Sequence, residues 1–517
     1  MQPISALRKK YSKGLLCAGL IGTIALFSCT HPEGQNDFAD GRVLLQGFYW
    51  ESYRHGHPGL FPSYGDSSWY ALVSARAATI RAGRFDLVWL PPPSYAGETS
   101  AGYNPKTWFR LDNSYGSANE HKTLLRQLLA HGVEPIADIV INHRDGLMGW
   151  AHFVDPAWGT DAICSSDEAF TNEGSEVFGT PIAQRGREEE RPEYAGHDGT
   201  TYAYPAFRDI DHSNPTVRRD IIRYLKWLQS VGYRGWRYDM VHGYHARWLA
   251  AYNRATQPSF SVGEYDWDQR AAQRGWIERS ATQPNDLRSA SHLFDFTSFF
   301  FLKDHKEEYQ RWYDKDWGLT SDTTNGFAWK SRAVTFLENH DTGYRTNEDG
   351  SPQEHHHHDS FQRGGELERA YAYILTHPGV PSVFWPHYFS WGDDLQAKIR
   401  ALINARKVAG VHANSPLHLA MDVRAEGVYA ARVQGEHGQL FVRIGDQRPW
   451  PAAHSARLYA KGEDWQVWVE LAGWRTWLGL AEPPPVRQAP LATPIHATTE
   501  EVLLSRADIA DAWIEAD

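Results

Sequence analysis

The sequence predicts a closed (β/α)8 barrel with an inserted subdomain after its third strand, followed by an antiparallel β-sheet domain. Three observations predict it. Short apolar runs alternate with helical patterns, as in βα units wound around a parallel sheet. Eight such runs fall within about 350 residues, the number that closes a barrel. Beyond residue 409 the alternation gives way to short strands separated by Gly-rich turns, which marks a separate antiparallel sheet.

Taken in order, residues 1–29 read as an address and not as part of the fold. Arg8, Lys9, Lys10 and Lys13 precede an apolar stretch from Leu15 to Phe27 that is too short for a comfortable membrane span. Leu26-Phe27-Ser28-Cys29 then resembles a bacterial lipoprotein cleavage site. The expectation is an exported protein held to a bacterial membrane (the outer one in a Gram-negative host) only by lipid on Cys29, with ordinary secretion as the alternative. Cys17 would be removed and Cys29 lipidated, so Cys164 alone is left and no intramolecular disulfide is expected.

Barrel strands are expected at 43–49, 86–90, 135–141, 234–239, 260–264, 292–296, 333–338 and 382–385, which places the barrel at 40–143 and 209–409. Ser117 and Glu120 form a capping box before a helix over 122–131. After Asn214, Pro215 suits a first helical turn, Val217, Ile221, Leu225, Leu228 and Val231 keep helical spacing, and Gly232 stops the helix. Residues 144–208 are far more than one helix needs and are rich in Gly, Pro and acid, hence the inserted subdomain. Its run Glu188-Glu189-Glu190-Arg191 reads as solvated surface, and the four adjacent His at 355–358 read as an exposed loop, since they cannot all face one ion. The second domain is expected at 410–480, with strands at 427–433, 439–444, 456–460 and 465–469, and 481–517 as a Pro-rich linker and short helical tail.

Charge narrows the function. The balance of 52 basic and 63 acidic residues leaves −11, which argues against nucleic acid as a partner. The 22 Trp, 25 Tyr and 22 Phe supply flat faces that suit sugar rings as well as a core. No feature calls for a second subunit, and a monomer is expected.

Chemistry concentrates at strand ends, which in a barrel converge on one face. Asp138-Ile139-Val140-Ile141-Asn142-His143 ends the third strand, Arg237 and Asp239 the fourth, Gly263-Glu264 the fifth and Glu338-Asn339-His340-Asp341 the seventh. Side chains alternate along a strand, so Arg237 and Asp239 share a face, and the guanidinium is expected to lower the pKa of Asp239. A fixed, desolvated carboxylate of that kind is a nucleophile for a sugar carbon. Burial beside a second carboxylate is expected to raise Glu264.

These blocks, with Gln46-Gly47-Phe48, Leu90-Pro91-Pro92-Pro93, Asp209-Ile210-Asp211-His212, Phe336-Leu337-Glu338-Asn339-His340-Asp341-Thr342 and His377-Pro378-Gly379, resemble the α-amylase superfamily of glycoside hydrolases over about residues 43–470. The likeness is close to plant-type α-amylases and bacterial maltooligosaccharide-forming amylases. It implies Asp239 as nucleophile, Glu264 as general acid/base and Asp341 as the third carboxylate. It also implies Tyr103 beneath the reacting glucose, His143 and His340 on its hydroxyls, and Arg237 beside Asp239. His242 stands where many relatives carry Lys or Arg on the sugar beyond the scissile bond. The resemblance further implies Ca²⁺, held by Asn142, Asp209 and the carbonyls of Ala206 and Gly243, with Asp198 the acid nearest another ligand position but one residue off in spacing.

The expected substrate is an α-glucan polysaccharide or maltooligosaccharide, hydrolysed at internal α-1,4 bonds. Two alternatives stand beside it. One is a maltooligosaccharide-forming exo-amylase or transglycosylase, which Ala370-Tyr371-Ala372-Tyr373-Ile374-Leu375 resembles particularly; the other is a non-catalytic glucan-binding lipoprotein.

Overall fold

The computed structural model describes residues 38–148, 152–164, 207–321, 329–343, 364–450 and 455–471, with short strands at 176–177 and 180–181 and the single residues 345, 347, 361 and 453. The leader with Cys29, the metal candidates Asp198 and Ala206, the acidic run at 188–191, the His run and the tail from 481 lie outside the described residues.

Eight strands close a barrel: β1 (Leu44–Gln46), β2 (Leu87–Leu90), β3 (Glu134–Ile139), β4 (Gly235–Tyr238), β5 (Phe260–Gly263), β6 (His292–Phe294), β7 (Ala333–Thr335) and β8 (Val380–Phe384). Every neighbouring pair is parallel, and β8 pairs with β1. Strands covered on both faces read as continuous apolar runs, as in the fully buried Leu87–Leu90. Among the described residues the helices are α1 (Trp69–Ala75), α2 (Ala77–Ala82), α3 (Ala118–Ala130), α4 (Pro215–Val231), α5 (Ala246–Thr256), α6 (Arg270–Arg279), α7 (Phe296–Asp304), α8 (Gly365–Thr376), α9 (Trp385–Phe389) and α10 (Asp393–Ala409). None is long and apolar enough to cross a membrane.

Local sequence sets these elements. Ser117 accepts from the Glu120 amide while Glu120 accepts from Ser117, which closes the capping box of α3. Asn214 caps α4 through the Thr216 amide, and Gly232, at φ 138°, ends it in a region other residues avoid. On β4 the alternation is visible in the partners. Trp236 Nε1 donates to Thr256 Oγ1 at 3.1 Å and the Tyr238 hydroxyl to Asn253 Oδ1 at 3.1 Å, both on α5. The side chain between them, Arg237, therefore points to the barrel axis, beside its register partner Asp138 on β3.

Several strands are shorter than the sequence suggested, most of all β1, which covers 44–46 of the expected 43–49, and then β6 and β7. Pairing of β7 stops at Thr335, so Glu338 to Asp341 occupy the following loop. Residues 144–208 leave the barrel through a two-residue ladder in which His143 pairs with Asp209 and Arg144 with Arg208. Arg144 is fully buried there, donating to the Pro156 carbonyl at 2.7 Å and the Lys106 carbonyl at 2.9 Å.

Five further strands form the C-terminal sheet: β9 (Leu417–Leu419), β10 (Tyr429–Gln434), β11 (Gly438–Ile444), β12 (Arg457–Lys461) and β13 (Trp465–Leu471). Their order is β9-β10-β11-β13-β12, antiparallel throughout. One face joins the barrel core: the Tyr429 hydroxyl meets His377 Nε2 at 2.6 Å and Trp465 Nε1 donates to Glu368 Oε2 at 3.2 Å. Gly435 sits so close to the end of α10 that a β-carbon would lie 2.0 Å from the Ala409 carbonyl oxygen.

Candidate active site

The C-terminal ends of the barrel strands surround a cavity of about 350 Å³. Going round the barrel, its wall takes Trp50 after β1, Tyr103 after β2, His143 after β3, Asp239 after β4, Glu264 and Asp266 after β5, Phe296 and Lys303 on α7, and Asn339 to Asp341 with Arg345 after β7. Asp239, Glu264, Asp341, Tyr103, His143 and His340 thus meet in one space.

Arg237 organises its floor. One terminal nitrogen donates to Asp138 Oδ1 at 2.7 Å and to Asp239 Oδ1 at 2.8 Å, and the other lies 2.6 Å from Glu264 Oε1. Its guanidinium stacks 4.7 Å from the Trp89 ring centre. Asp138 accepts in addition from Trp89 Nε1 at 3.0 Å and the Tyr103 hydroxyl at 2.8 Å. Backbone bonds fix the two strand ends against each other. The Glu264 amide donates to the Tyr238 carbonyl, the Val241 amide to the Glu264 carbonyl, and the Met240 amide to Glu264 Oε2 at 3.2 Å. Met240, at φ 42° and ψ 51°, takes the left-handed conformation that turns the chain sharply just after Asp239.

One expectation about charge is corrected. Burial, followed by the neighbouring charges of Glu264 and Asp138, pushes the Asp239 carboxyl well above the usual range, against the pull of Arg237. The sequence pairs one guanidinium with one carboxylate; the structure divides it among three. Glu264 is pushed up to about 7, mainly by burial and then by Asp341 and Asp266, in the expected direction. Asp341 behaves differently: burial raises it, but His340, Arg345 and Arg237 together hold it below the usual range. Burial lowers His143 to about 4 and His340 to about 3, so both are neutral hydrogen-bonding rings.

Above this floor stand three nearly parallel rings. Tyr103 and His340 lie 5.1 Å apart at 12°, and Trp50 lies 6.0 Å from Tyr103 at 3°. Gln46 fixes His340 through its Nδ1 at 3.0 Å, and His143 Nε2 meets the Tyr103 carbonyl at 2.7 Å.

Two candidates do not reach the cavity wall: Arg237, fully buried beneath it, and His242. His242 is buried, 3.2 Å from Asp266, which does line the wall. Trp50, Asp266 and Arg345 are the converse, residues at the site that the motifs did not mark, and Asp138 stands inside the third-strand block without an assigned role. Asp138 carried a signal, since a carboxylate inside the apolar run Ile136-Ala137-Asp138-Ile139 has to be paired. Asp266 and Arg345 sit in irregular loops and Trp50 opens a single 3-10 turn (Trp50–Arg54), none with a periodicity to betray it.

Of the metal candidates, Asn142, Asp209 and Gly243 come together. Asn142 Nδ2 donates to Asp209 Oδ1 at 3.1 Å, and Asn142 Oδ1 nests so closely against Gly243 that a β-carbon there would lie 1.8 Å away. Among the described residues no three His, Cys, Asp or Glu side chains gather as a metal cage. An amide, a carboxylate and main-chain carbonyls are nevertheless the hard oxygen donors that Ca²⁺ takes.

A closed parallel barrel whose C-terminal face gathers carboxylates beneath stacked rings has the layout of a carbohydrate-cleaving enzyme. Residues 80–347 match the alpha-amylase catalytic domain and residues 408–469 the alpha-amylase C-terminal β-sheet domain. A probable alpha-amylase of Arabidopsis thaliana is 30% identical over 83% of this chain and 94% of its own length. The glucan 1,4-alpha-maltotetraohydrolase of Stutzerimonas stutzeri is 28% identical over 72% of this chain and 63% of its own. The solved alpha-amylase of Geobacillus thermoleovorans shares the fold, with a TM-score of 0.57 at 15% identity over 83% of this chain and 98% of that one. The chain belongs to the alpha-amylase family of glycoside hydrolases.

Proposed function

We propose that this enzyme hydrolyses internal α-1,4 bonds of starch- or glycogen-like glucans with retention of configuration. The observation that carries the proposal is Arg237, which holds Asp239 and Glu264 on one guanidinium beneath parallel rings. A retaining mechanism needs two carboxyls close together, one to attack and one to protonate the leaving oxygen. Three buried carboxylates sharing one guanidinium keep a proton among them and titrate as a unit. In the productive state that proton lies on Glu264, while Asp239 attacks the anomeric carbon as Glu264 protonates the departing oxygen. Glu264, now ionised, then takes a proton from the water that releases the sugar. Tyr103 supports the reacting ring, and Asp341 accepts from its hydroxyls. His340 and His143, whose ring nitrogens already meet Gln46, Asp341, Asn142 and the Tyr103 carbonyl, shape the wall beside it.

Product analysis over time on soluble starch tests the reading. Long mixed oligosaccharides at early times, each first appearing as the α anomer by proton NMR, are expected. A first product of β configuration excludes the double displacement. A single oligosaccharide length from the outset favours the maltooligosaccharide-forming alternative, which the likeness to the maltotetraohydrolase supports. Binding of starch with no new reducing ends marks the third alternative, the non-catalytic glucan-binding lipoprotein.

Calcium is proposed as a structural ion. Asn142, Asp209 and the Gly243 carbonyl would hold it where the inserted segment returns to β3, with Ala206 and Asp198 as further candidates. Bound there it supplies fixed positive charge that ties insertion to barrel. Chelation is expected to lower Tm and added Ca²⁺ to restore it, because an ion that binds only the folded state stabilises it by mass action. Asp209→Ala should lose that response. A Tm unchanged after verified metal removal overturns the assignment.

Export and a lipid anchor on Cys29 complete the proposal. Labelled fatty acid should enter the wild type and not Cys29→Ser; an unlabelled wild type found free in the medium shows ordinary secretion instead.

A further inference from the structure

We propose that Arg345 is a positioning residue that fixes the Asp341 carboxylate for the substrate, an inference that rests on Asp341 as a sugar contact. Arg345 lies four residues beyond Asp341, in the loop after β7, and is 6% exposed despite its charge. Among the described residues, three contacts hold its plane. Nη2 donates to Asp341 Oδ1 at 2.6 Å, Nε donates to the His340 carbonyl at 3.2 Å, and the guanidinium covers the Trp50 ring at 3.8 Å from its centre.

Asp341 is thereby gripped from both sides. His340 Nε2 lies 3.1 Å from its other oxygen, and His340 is itself held by Gln46. An ionised carboxylate has about four lone-pair sites, so each oxygen keeps one for a sugar hydroxyl. The Asp341 side chain is 45% exposed and lines the cavity, where those sites are open to a ligand. A half-exposed carboxylate held at one oxygen alone turns freely about its side-chain bonds. The second grip removes that freedom before substrate arrives, and pre-set donors and acceptors are what a transition state rewards.

The geometry also says why the group is an Arg. A planar fork can meet a carboxylate, a carbonyl and a ring face at once, whereas an ammonium on a flexible stem satisfies the carboxylate only. Arg345 also places a positive charge beside Asp341 in a cavity already crowded by Glu264 and Asp266, whose charges oppose that of Asp341.

Steady-state kinetics on one maltooligosaccharide of defined length test the role in Arg345→Gln, Arg345→Lys, Asp341→Asn and the double variant Asp341→Asn/Arg345→Gln. Arg345→Gln is expected to lower kcat roughly ten- to a hundredfold with KM changed less than about threefold, the pattern of lost positioning. Arg345→Lys should recover part of that loss, and in the Asp341→Asn background Arg345→Gln should cost nothing more. Wild-type kcat in Arg345→Gln beside an impaired Asp341→Asn overturns the proposal alone. An equal Arg345→Gln loss in both backgrounds also overturns it, because Arg345 then acts apart from Asp341. Wild-type kcat in Asp341→Asn removes the reading of Asp341 itself and this inference with it. Should Arg345→Gln fail to fold, Arg345→Lys carries the test: loss of turnover at unchanged Tm supports the role, and unchanged kcat and KM overturn it.

Discussion

Asp239→Asn is expected to lose several orders of magnitude in kcat while keeping its fold. The amide has nearly the same shape but cannot attack the sugar carbon, so the covalent route is closed. Glu264→Gln should lose about 10²–10⁴-fold on substrates whose leaving group needs a proton. The two variants differ in pH dependence. In the wild type, kcat/KM should fall as pH rises through about 7, where the carboxyls on Arg237 together lose the proton that Glu264 must donate. Glu264→Gln should lack that alkaline limb, whereas Asp239→Asn should keep it in whatever activity survives. Stability separates chemistry from structure. Burial pushes Asp239 up, so the folded state is reluctant to carry its charge, and a neutral Asn should leave Tm unchanged or higher. Either variant holding more than a tenth of wild-type turnover at normal Tm would overturn its assignment.

Arg237→Met is expected to be the most damaging single change. It removes activity and leaves Asp138, Asp239 and Glu264 buried without their common counter-charge. Removing one partner of a buried pair costs about 3–5 kcal/mol, which at about 2 cal/mol/K of unfolding entropy per residue lowers the Tm of a fold this large by roughly 3–6 °C. The sign with pH is specific. Carboxyls raised by burial bind more protons folded than unfolded, so their contribution to stability is fully present below the unfolded carboxylate pKa. It is lost as pH rises through the raised folded value. Arg237→Met should therefore regain stability on acidification from pH 8 to 5, measured by thermal melts. A pH-independent loss would mean that Arg237 serves packing alone.

The barrel was legible because parallel strands buried on both faces leave unmistakable apolar runs, and because Asn214-Pro215 and Ser117 with Glu120 announce helix starts. Strand ends were less so. Phe336 and Leu337 continue the apolar run of β7, yet pairing has stopped at Thr335, since apolarity reports burial and not hydrogen bonding. The short β9 went unseen: three half-exposed or exposed residues at a sheet edge carry too little pattern. At the site, residues tied to strand ends were readable from their convergence on one face together with the family resemblance of their motifs. Arg345 and Trp50 were not, because a loop and a short 3-10 turn bring them to the cavity on a course that only tertiary contacts decide. The direction of Asp239 was misjudged for a related reason. Spacing along β4 shows Arg237 beside Asp239, but the competing Asp138 and Glu264 come from neighbouring strands.

The pairing of Arg237 with Asp138 has a consequence for how the barrel assembles. The two residues are register partners on β4 and β3, ninety-nine positions apart in sequence. Sliding β4 by one residue would turn Arg237 outward against α5, away from its carboxylates, and thrust Trp236 and Tyr238 into the polar centre. The groups at the bottom of the cleft thus double as a proofreading mark: a misaligned chain carries stranded charges, and it can neither stay folded nor cut sugar.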